Sequence, residues 1–486
     1  MCIPSNSADF ILQGVYLAVD LGGTNFRVCS VSLSGDTKFT LTQSKVAIPR
    51  SMMVSDSHTL FSFLAKQVEI FVKTHHADHF LEDPEHHLQL GFTFSFPVDQ
   101  RAVNKGYLIR WTKGFDIADA IGKDVCELLQ KEIDALGLPV KVAALVNDTV
   151  GTLMARSYES PGKSGTLLGA IFGTGTNGAY VEKLGKITKM TKPGAQVGEY
   201  NTSTGEMVVN TEWGSFDNVM KVLPDTVYDR QLDANSVNPG IQMFEKRISG
   251  MFLGEILRNA ILGLKKDVGL FSTTEIPEDA PLNVPWSVDT SVLSYLEADD
   301  TTDLSKTKAV LEEQLGIPTA GLHTEEARAV KILVHAIGKR SARLSAVPIA
   351  AIVIATGKVK PSSVLRDIPI QKLSLLEQGI QAVKSAFSGN PPAAGVPTSP
   401  SVKSDKDKAD TKEELDIIDI GVDGSVVEFY PGFEKYVRGA LREVEELGVE
   451  GEKRIRMGVA KDGSGVGAAL IALVAAKAAG VNIPSS

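Results

Sequence analysis

Apolar and polar positions alternate in two stretches that predict the same local structure. Leu17 to Leu33, LAVDLGGTNFRVCSVSL, sets two mostly apolar runs around a glycine-rich turn and predicts a strand, a tight hairpin and a strand. Val19 and Leu21 project to one side and Asp20 to the other, so a carboxylate reaches the strand end just before Gly22, Gly23, Thr24 and Asn25. Glycines without Cβ let backbone N–H groups approach anionic oxygens, and Arg27 adds a fixed positive charge. Alone, this is equally well an ordinary hairpin whose turn needs positive φ. Leu168 to Val181, LGAIFGTGTNGAYV, repeats the pattern about 150 residues later. Two such hairpins predict a nucleotide held in a cleft between two related halves.

The remaining pattern supplies further elements. Thr59–Lys73 has helical spacing, and Leu88–Phe96 alternates as a strand that stops at Pro97. Arg110–Phe115, RWTKGF, reads as a loop. Val142–Val146 is a continuous apolar run, which predicts a central strand buried on both faces. It hands over at Asn147, Asp148 and Thr149 to a helix over Val150–Tyr158, the usual place for ligand chemistry in an α/β sheet and also an ordinary helix cap. Asn238 and Pro239 predict the start of a long helix through Phe244, Ile248, Phe252 and Leu257, with Glu245 beside its apolar stripe. Thr324 is expected to cap a helix from Glu325 to about Leu344 that runs into the apolar segment around Pro348, and Ile370–Phe387 is a candidate amphipathic helix. Residues 388–414 hold almost nothing that could be buried and read as a disordered insertion. A strand and turn follow from Ile417 to Ser425. Asp462, Gly463, Ser464 and Gly465 lead into an Ala-rich helix whose N-terminus can face a nucleotide.

Composition narrows the function classes. A chain of 486 residues is too long for one ordinary core. A formal net charge of −9 argues against nucleic acid or an anionic membrane as the main partner. Cys2, Cys29 and Cys126 lack disulfide or zinc spacing, and the longest apolar runs are too short to span a bilayer, which points to the cytoplasm. His75 and His79 are spaced as a helical metal pair, but their stretch runs past the helix's apolar face toward Pro84 and reads as a solvated end. Gly173, Gly175 and Gly178 have GxGxxG spacing. A strand rather than a helix follows them and no HRD or DFG segment occurs, which excludes the dinucleotide and protein-kinase readings.

Taken together, LAVDLGGTNFRV, LGFTFSFP, RWTKGFD, LVNDTVGTL, IFGTGTNGAY, NTEWGSFD, FEKRISGMFLGEILR, RSARLSAVPIAAI and KDGSGVGAAL resemble, in order, the motifs of the eukaryotic hexokinase and glucokinase family, especially its fungal members. The likeness covers nearly the whole chain outside the insertion. It implies an α/β, actin-like (ribonuclease-H-like) two-domain fold with an interdomain cleft: 15–148 plus 465–486 as a small domain and 149–464 as a large one. It implies ATP-dependent phosphorylation of a hexose at its 6-hydroxyl with Mg²⁺, by a monomer or weak homodimer. Carried over by motif, the sugar would be held by Ser95, Thr112, Lys113, Asn147, Asp148, Asn177, Glu212 and Glu245. Asp148 would be the general base, ionised by its place at a helix start. Lys113 and Arg27 would neutralise developing charge, and Asp20 would act on Mg²⁺ through its waters. Gly22, Gly23, Thr24, Asn25, Gly173, Thr174, Gly175 and Thr176 would surround the phosphates, while Ser425, Gly463, Ser464 and Gly465 would lie near the adenosine.

The resemblance has two departures. The first strand lies nearer the start of the sequence than the family pattern, and the segment from about Val359 to Asp416 is longer than the family's usual connection. They leave an alternative, a hexose-sensing regulatory protein of the same fold without turnover. An actin-like or chaperone-like ATPase would leave Asn147, Asn177, Glu212 and Glu245 without a purpose.

Overall fold

The structure is a computed structural model that describes residues 13–23, 25–34, 38–77, 87–160, 165–192, 200, 202–359, 378, 380–381, 383–384 and 416–481. Thr24, His79 and the insertion 388–414 lie outside the described residues, as does most of 370–387.

Each hairpin founds a five-stranded sheet. The first is built from β1 (Gln13–Leu21), β2 (Asn25–Ser34), β3 (Phe39–Ala47), β4 (Leu88–Phe94) and β7 (Val140–Val146), in the order β3-β2-β1-β4-β7. A two-stranded ribbon, β5 (Val98–Ala102) and β6 (Lys105–Leu108), sits between β4 and β7 in the chain. The second sheet uses β8 (Leu168–Phe172), β9 (Thr176–Lys183), β10 (Glu206–Asn210), β11 (Ile418–Asp423) and β12 (Ile455–Val459), in the order β10-β9-β8-β11-β12. In both, three antiparallel strands are followed by two parallel ones, so the internal repeat extends from the hairpins to whole sheets.

Period-two alternation sorts the first sheet's faces. Leu17, Val19 and Leu21 pack with α1 (Ser57–His75) and α2 (Val125–Ala135) in one apolar cluster. Tyr16, Ala18, Cys29 and Val31 pack in another with the C-terminal helix, labelled α7 (Gly463–Ala478). Asp20 and Arg27 belong to this second face. Helix α3 (Asp148–Glu159) lies between α7 and the second sheet. It is pressed onto both: a Cβ at Gly169 of β8 would stand 2.4 Å from the Leu153 nitrogen, and one at Gly467 of α7 would stand 1.9 Å from the Gly151 carbonyl oxygen. Arg156, near the far end of α3, donates to both carboxylate oxygens of fully buried Asp419 on β11, at 2.9 and 2.7 Å.

Three elements depart from the expected pattern. Strand β7 is an edge strand rather than a central one. Its apolar run is buried on both faces as expected, Val142 and Leu145 in one cluster and Ala144 and Val146 in the other, and its outer edge is covered as well. The Gln130 amide donates to the Val140 carbonyl at 3.1 Å and accepts from the Val142 N–H at 2.8 Å. Further along, Leu145 bonds Val103 and Gln100. These contacts replace the missing neighbour. The helix expected from Asn238 begins instead at α4 (Glu245–Ile248), breaks at Ser249 and resumes as α5 (Gly250–Val268). The break occurs because Gly250 and Met251 donate to the Gly173 and Thr174 carbonyls, at 2.7 and 3.0 Å. Residues 238–240 are held in turns by Asp233, which accepts from Gly240, and by Lys246, which donates to the Asn238 carbonyl. Last, α6 (Thr324–Ala355) is capped by His323 and runs straight through Pro348. An internal proline costs about 3 kcal/mol. Burial of Ala346, Ile349 and Val353 around it offsets that.

The α3–α7 contact leaves no room for a side chain, so Gly467→Ala is expected to lower stability by about 2–3 kcal/mol in denaturant titration. Gly439→Ala, in a helix where a Cβ would meet nothing, serves as the control and should be neutral or slightly stabilising.

Candidate active site

The two hairpin turns, the start of α3 and the first turn of α7 converge. Asp20 and Arg27 are register partners across β1 and β2. Ser464 Oγ donates to Asp20 Oδ2 at 3.1 Å, and Arg27 Nη1 donates to Asp462 Oδ1 at 2.8 Å. Thr93 Oγ1 on β4 bonds the Ser464 carbonyl at 3.2 Å. None of Gly22, Gly23, Gly173 and Gly175 takes a positive φ, so the ordinary-turn explanation of these glycines does not hold. Three are closely approached: a Cβ would lie 3.3 Å from Asp20 Oδ1 at Gly22, 3.2 Å from Gly424 Cα at Gly173 and 3.0 Å from Glu245 Oε2 at Gly175. At Gly23 a Cβ would meet nothing, which leaves room for a ligand over the first turn.

Asn147 caps α3 by accepting from Thr149 N–H at 3.0 Å, and Asp148 is the first helical residue. Asp148 Oδ1 accepts from the same N–H at 2.9 Å. Lys113 Nζ donates to the Ser95 carbonyl at 3.0 Å and lies 5.5 Å from the centre of the Phe96 ring. Beneath it, Trp111 stacks on Phe115 at 5.3 Å and donates to the Ile117 carbonyl at 2.8 Å, which fixes the RWTKGF loop. Thr112 is half-buried in that loop.

The second hairpin joins the turn to a polar wall. Asn177 Nδ2 donates to Asn210 Oδ1 at 2.8 Å and to Glu212 Oε1 at 3.1 Å. Asn210 Nδ2 donates to the same Glu212 oxygen at 2.8 Å. Next to Asn177, the Thr176 N–H donates to Glu245 Oε2 at 3.0 Å. Thr176 is a correction to the expected phosphate donors: it is buried, its hydroxyl donates to the Ile171 carbonyl and accepts from Trp213 Nε1. Its polar groups are already used, so it links wall to turn, while Thr174 is exposed at the tip. Ser425 lies beside the same turn, its nitrogen 3.4 Å from where a Gly173 Cβ would be.

Charge and strain concentrate here. Burial pushes the Asp20 carboxyl above its ordinary value and the charge of Asp148 adds to this, against Arg27, Ser464 and Lys113. Burial likewise raises Glu245, opposed by the Thr176 N–H and Lys113 and reinforced by Glu212 and Asp148. These influences show that the groups share one small volume. Lys113, Glu212, Gln242 and Asp462 all have φ between 49 and 57°, a conformation costly for residues other than glycine and typical of functional sites. Burial pushes the Cys29 thiol behind Asp20 up to about 12, which excludes it as a nucleophile.

Comparison with known proteins finds extensive likeness along the chain. Two family models, each described as hexokinase, match residues 6–158 and 167–474. A glucokinase of Aspergillus niger is 54% identical, over 96% of this chain and 86% of its own length. Glucokinase-1 of Saccharomyces cerevisiae is 42% identical, over 95% of this chain and 85% of its own. Among solved structures, the Schistosoma mansoni hexokinase complexed with glucose aligns with a TM-score of 0.69 and 30% identity, covering 95% of this chain and 85% of that one.

Sequence reasoning assigned no individual role to Asn210, Trp213, Asp423 and Asp462. Asn210 and Trp213 flank Glu212 within the quoted NTEWGSFD motif, so the signal was at hand. Asp423 and Asp462 end a strand and precede a helix beside glycines, and only the fold brings them together. Asp423 accepts from Gly424 N–H at 2.7 Å, and burial pushes its carboxyl from 3.8 to about 6, with Asp462 adding to the rise. The folded chain therefore holds this proton over a window in which the unfolded chain has lost it. Its contribution makes stability fall as pH rises from about 4 to about 6 and leaves it flat above. Asp423→Asn removes that slope: Tm of variant minus wild type should grow across the window and then level off, and a difference independent of pH would contradict the assignment.

Proposed function

The chain belongs to the hexokinase family, and we propose on that premise that it transfers the γ-phosphoryl group of ATP to the 6-hydroxyl of glucose, with Asp148 as the base. The observation that carries this reading is a pair of adjacent residues. Thr176 ties the second turn to Glu245, and Asn177 opens the wall of Asn210 and Glu212, so a phosphate turn and a hydroxyl-binding wall sit one residue apart. A pyranose needs acceptors and donors in fixed directions, and a site built around such groups rejects analogues that leave them unpaired.

In this reading Asn147, Asn177, Glu212 and Glu245 orient the sugar, together with Ser95, Thr112 and Lys113. Asp148 Oδ accepts the proton of the 6-hydroxyl as the oxygen attacks. Because phosphoryl transfer passes through a loose transition state, positioning and charge stabilisation supply most of the rate. Lys113 acts on the sugar side and Arg27 on the transferred group. The tip of the second turn, with Thr174, and the glycines of the first receive the phosphates, with Thr24 and Asn25 beside them. Ser425 and Gly463 to Gly465 border the nucleotide.

Magnesium fits this donor set. No three His, Cys, Asp or Glu side chains that could hold a metal gather among the described residues. Asp20 is a half-buried carboxylate at the turn, and Mg²⁺ characteristically uses one or two carboxylates, waters and phosphate oxygens. Bound there, the ion would neutralise phosphate charge, with Asp20 holding its waters. No helix among the described residues is long and apolar enough to cross a membrane. The reading includes a cytoplasmic enzyme, monomeric or weakly dimeric, whose lobes 15–148 with 465–486 and 149–464 close over the sugar and exclude water. No observation favours the sensor alternative.

Glucose phosphorylation by the purified chain, measured beside Asp148→Asn, tests the proposal. The variant should bind glucose within a few-fold of wild type yet lose about 10²–10⁴-fold in kcat. Glucose binding by wild type without turnover would replace the enzyme by the sensor. Saturating glucose should also shrink the radius of gyration in solution scattering, and an unchanged radius would count against closure.

A further inference from the structure

Asp20 and Arg27 stand directly opposite each other on one face of the β1–β2 hairpin. Opposite charges so placed are about 5 Å apart at Cβ and ordinarily attract each other. Here each bonds the first turn of α7 instead: Asp20 accepts from Ser464 at 3.1 Å, and Arg27 donates to Asp462 at 2.8 Å. Asp462 is built for this contact. It occupies the N-cap position of α7 with φ 54° and ψ 27°, and its side chain makes no capping bond to that helix. A left-handed aspartate at a helix start that does not cap the helix has its carboxylate committed elsewhere. Its surroundings are fixed from the second sheet, since Ala460 N–H donates to the Val422 carbonyl at 2.8 Å and Gly463 N–H to the Ala460 carbonyl at 3.0 Å.

We propose that Asp462 is a positioning residue that holds the Arg27 guanidinium at the phosphate turn and keeps it from pairing with Asp20. This rests on the phosphoryl-transfer reading above. Without Asp462, Arg27 is left beside a half-buried carboxylate that makes no ion pair among the described residues. It would fold onto Asp20 and remove two functions together, the cation that meets the transferred phosphate and the carboxylate available to a metal's waters. Removing the arginine as well abolishes that second loss. The structure thus predicts a sign as well as a size: the defect of an Asp462 variant should depend on Arg27 being present.

The test is a cycle of Asp462→Asn, Arg27→Ala and the double variant in the full chain. ATP and glucose kinetics are combined with calorimetric titration of the glucose-bound protein by Mg²⁺ and the non-hydrolysable analogue AMPPNP. Asp462→Asn should weaken AMPPNP binding and lower kcat/KM for ATP by about 10–100-fold, with KM for glucose and Tm nearly unchanged. The double variant should be no worse than Arg27→Ala alone, and Asp462→Glu should restore part of the loss. Losses that multiply in the double variant, or unchanged AMPPNP affinity in Asp462→Asn, would overturn the assignment. Should Asp462→Asn fold poorly, the comparison of Asp462→Glu with wild type in the same titration decides, since a carboxylate moved by one methylene must still change AMPPNP affinity if it positions Arg27. If wild type fails to phosphorylate glucose, the functional reading fails, and the binding cycle still decides whether Asp462 acts through Arg27.

Discussion

Gly151 and Gly467 let α3 and α7 cross backbone against backbone, and the site depends on that crossing. Asp148 stands at the first residue of α3, and Ser464, which holds Asp20, stands in the first turn of α7. The helices meet near those same ends: a Cβ on Gly151 would lie 2.9 Å from Ser464 Cα, and one on Gly463 would lie 3.1 Å from Thr152 Cα. The spacing between Asp148 and Ser464, the partner of Asp20, is therefore set by main chain rather than by flexible side chains. Packed interiors transmit small shifts instead of absorbing them, so a slide at this contact moves the start of α3 and the first turn of α7 together.

The other end of α3 is fixed to the second sheet. Arg156 lies over Gly421 and Gly458, where any side chain would collide with it, and its partner Asp419 is also bonded by Arg456 and Thr166. Burial would raise the Asp419 carboxyl, but these donors prevail and hold it below its ordinary value. An ion pair buried this deeply gives little net stability over apolar packing, and its loss leaves an uncompensated charge. Its directionality is what matters here, since a bidentate pair in a glycine slot permits one orientation of the helix that carries Asp148.

Much of this was legible in the sequence because it rests on local rules. The hairpins follow from two-residue alternation around glycine, and their repetition pointed to paired sheets. The motif residues around Asp148, Lys113, Glu212 and Glu245 do gather in one place. What could not be read depends on contacts between distant segments. Val142–Val146 has the composition of a central strand, and Gln130, from a helix before it in the chain, makes the edge position tolerable together with Gln100 and Val103. The break at Ser249 has no local signal, because the carbonyls that capture Gly250 and Met251 belong to a turn some 75 residues earlier. Thr176 looks like a phosphate ligand in sequence and is turned inward by Trp213 and Glu245.

The electrostatic balance of the cleft explains why these distant contacts are needed. Asp20, Asp148, Glu245, Asp423 and Asp462 surround two cations, Arg27 and Lys113, and burial raises three of the five carboxyls. In a partly desolvated space each cation would settle on its nearest carboxylate unless another contact held it away. Lys113 is held by the Ser95 carbonyl and the Phe96 face, and Arg27 by Asp462. Both holding contacts use a residue in a left-handed backbone, Lys113 in one and Asp462 in the other. Left-handed backbone at these two positions thus directs Lys113 to a carbonyl and Arg27 to Asp462, and leaves Asp20 outside either contact, as its proposed role toward a metal requires.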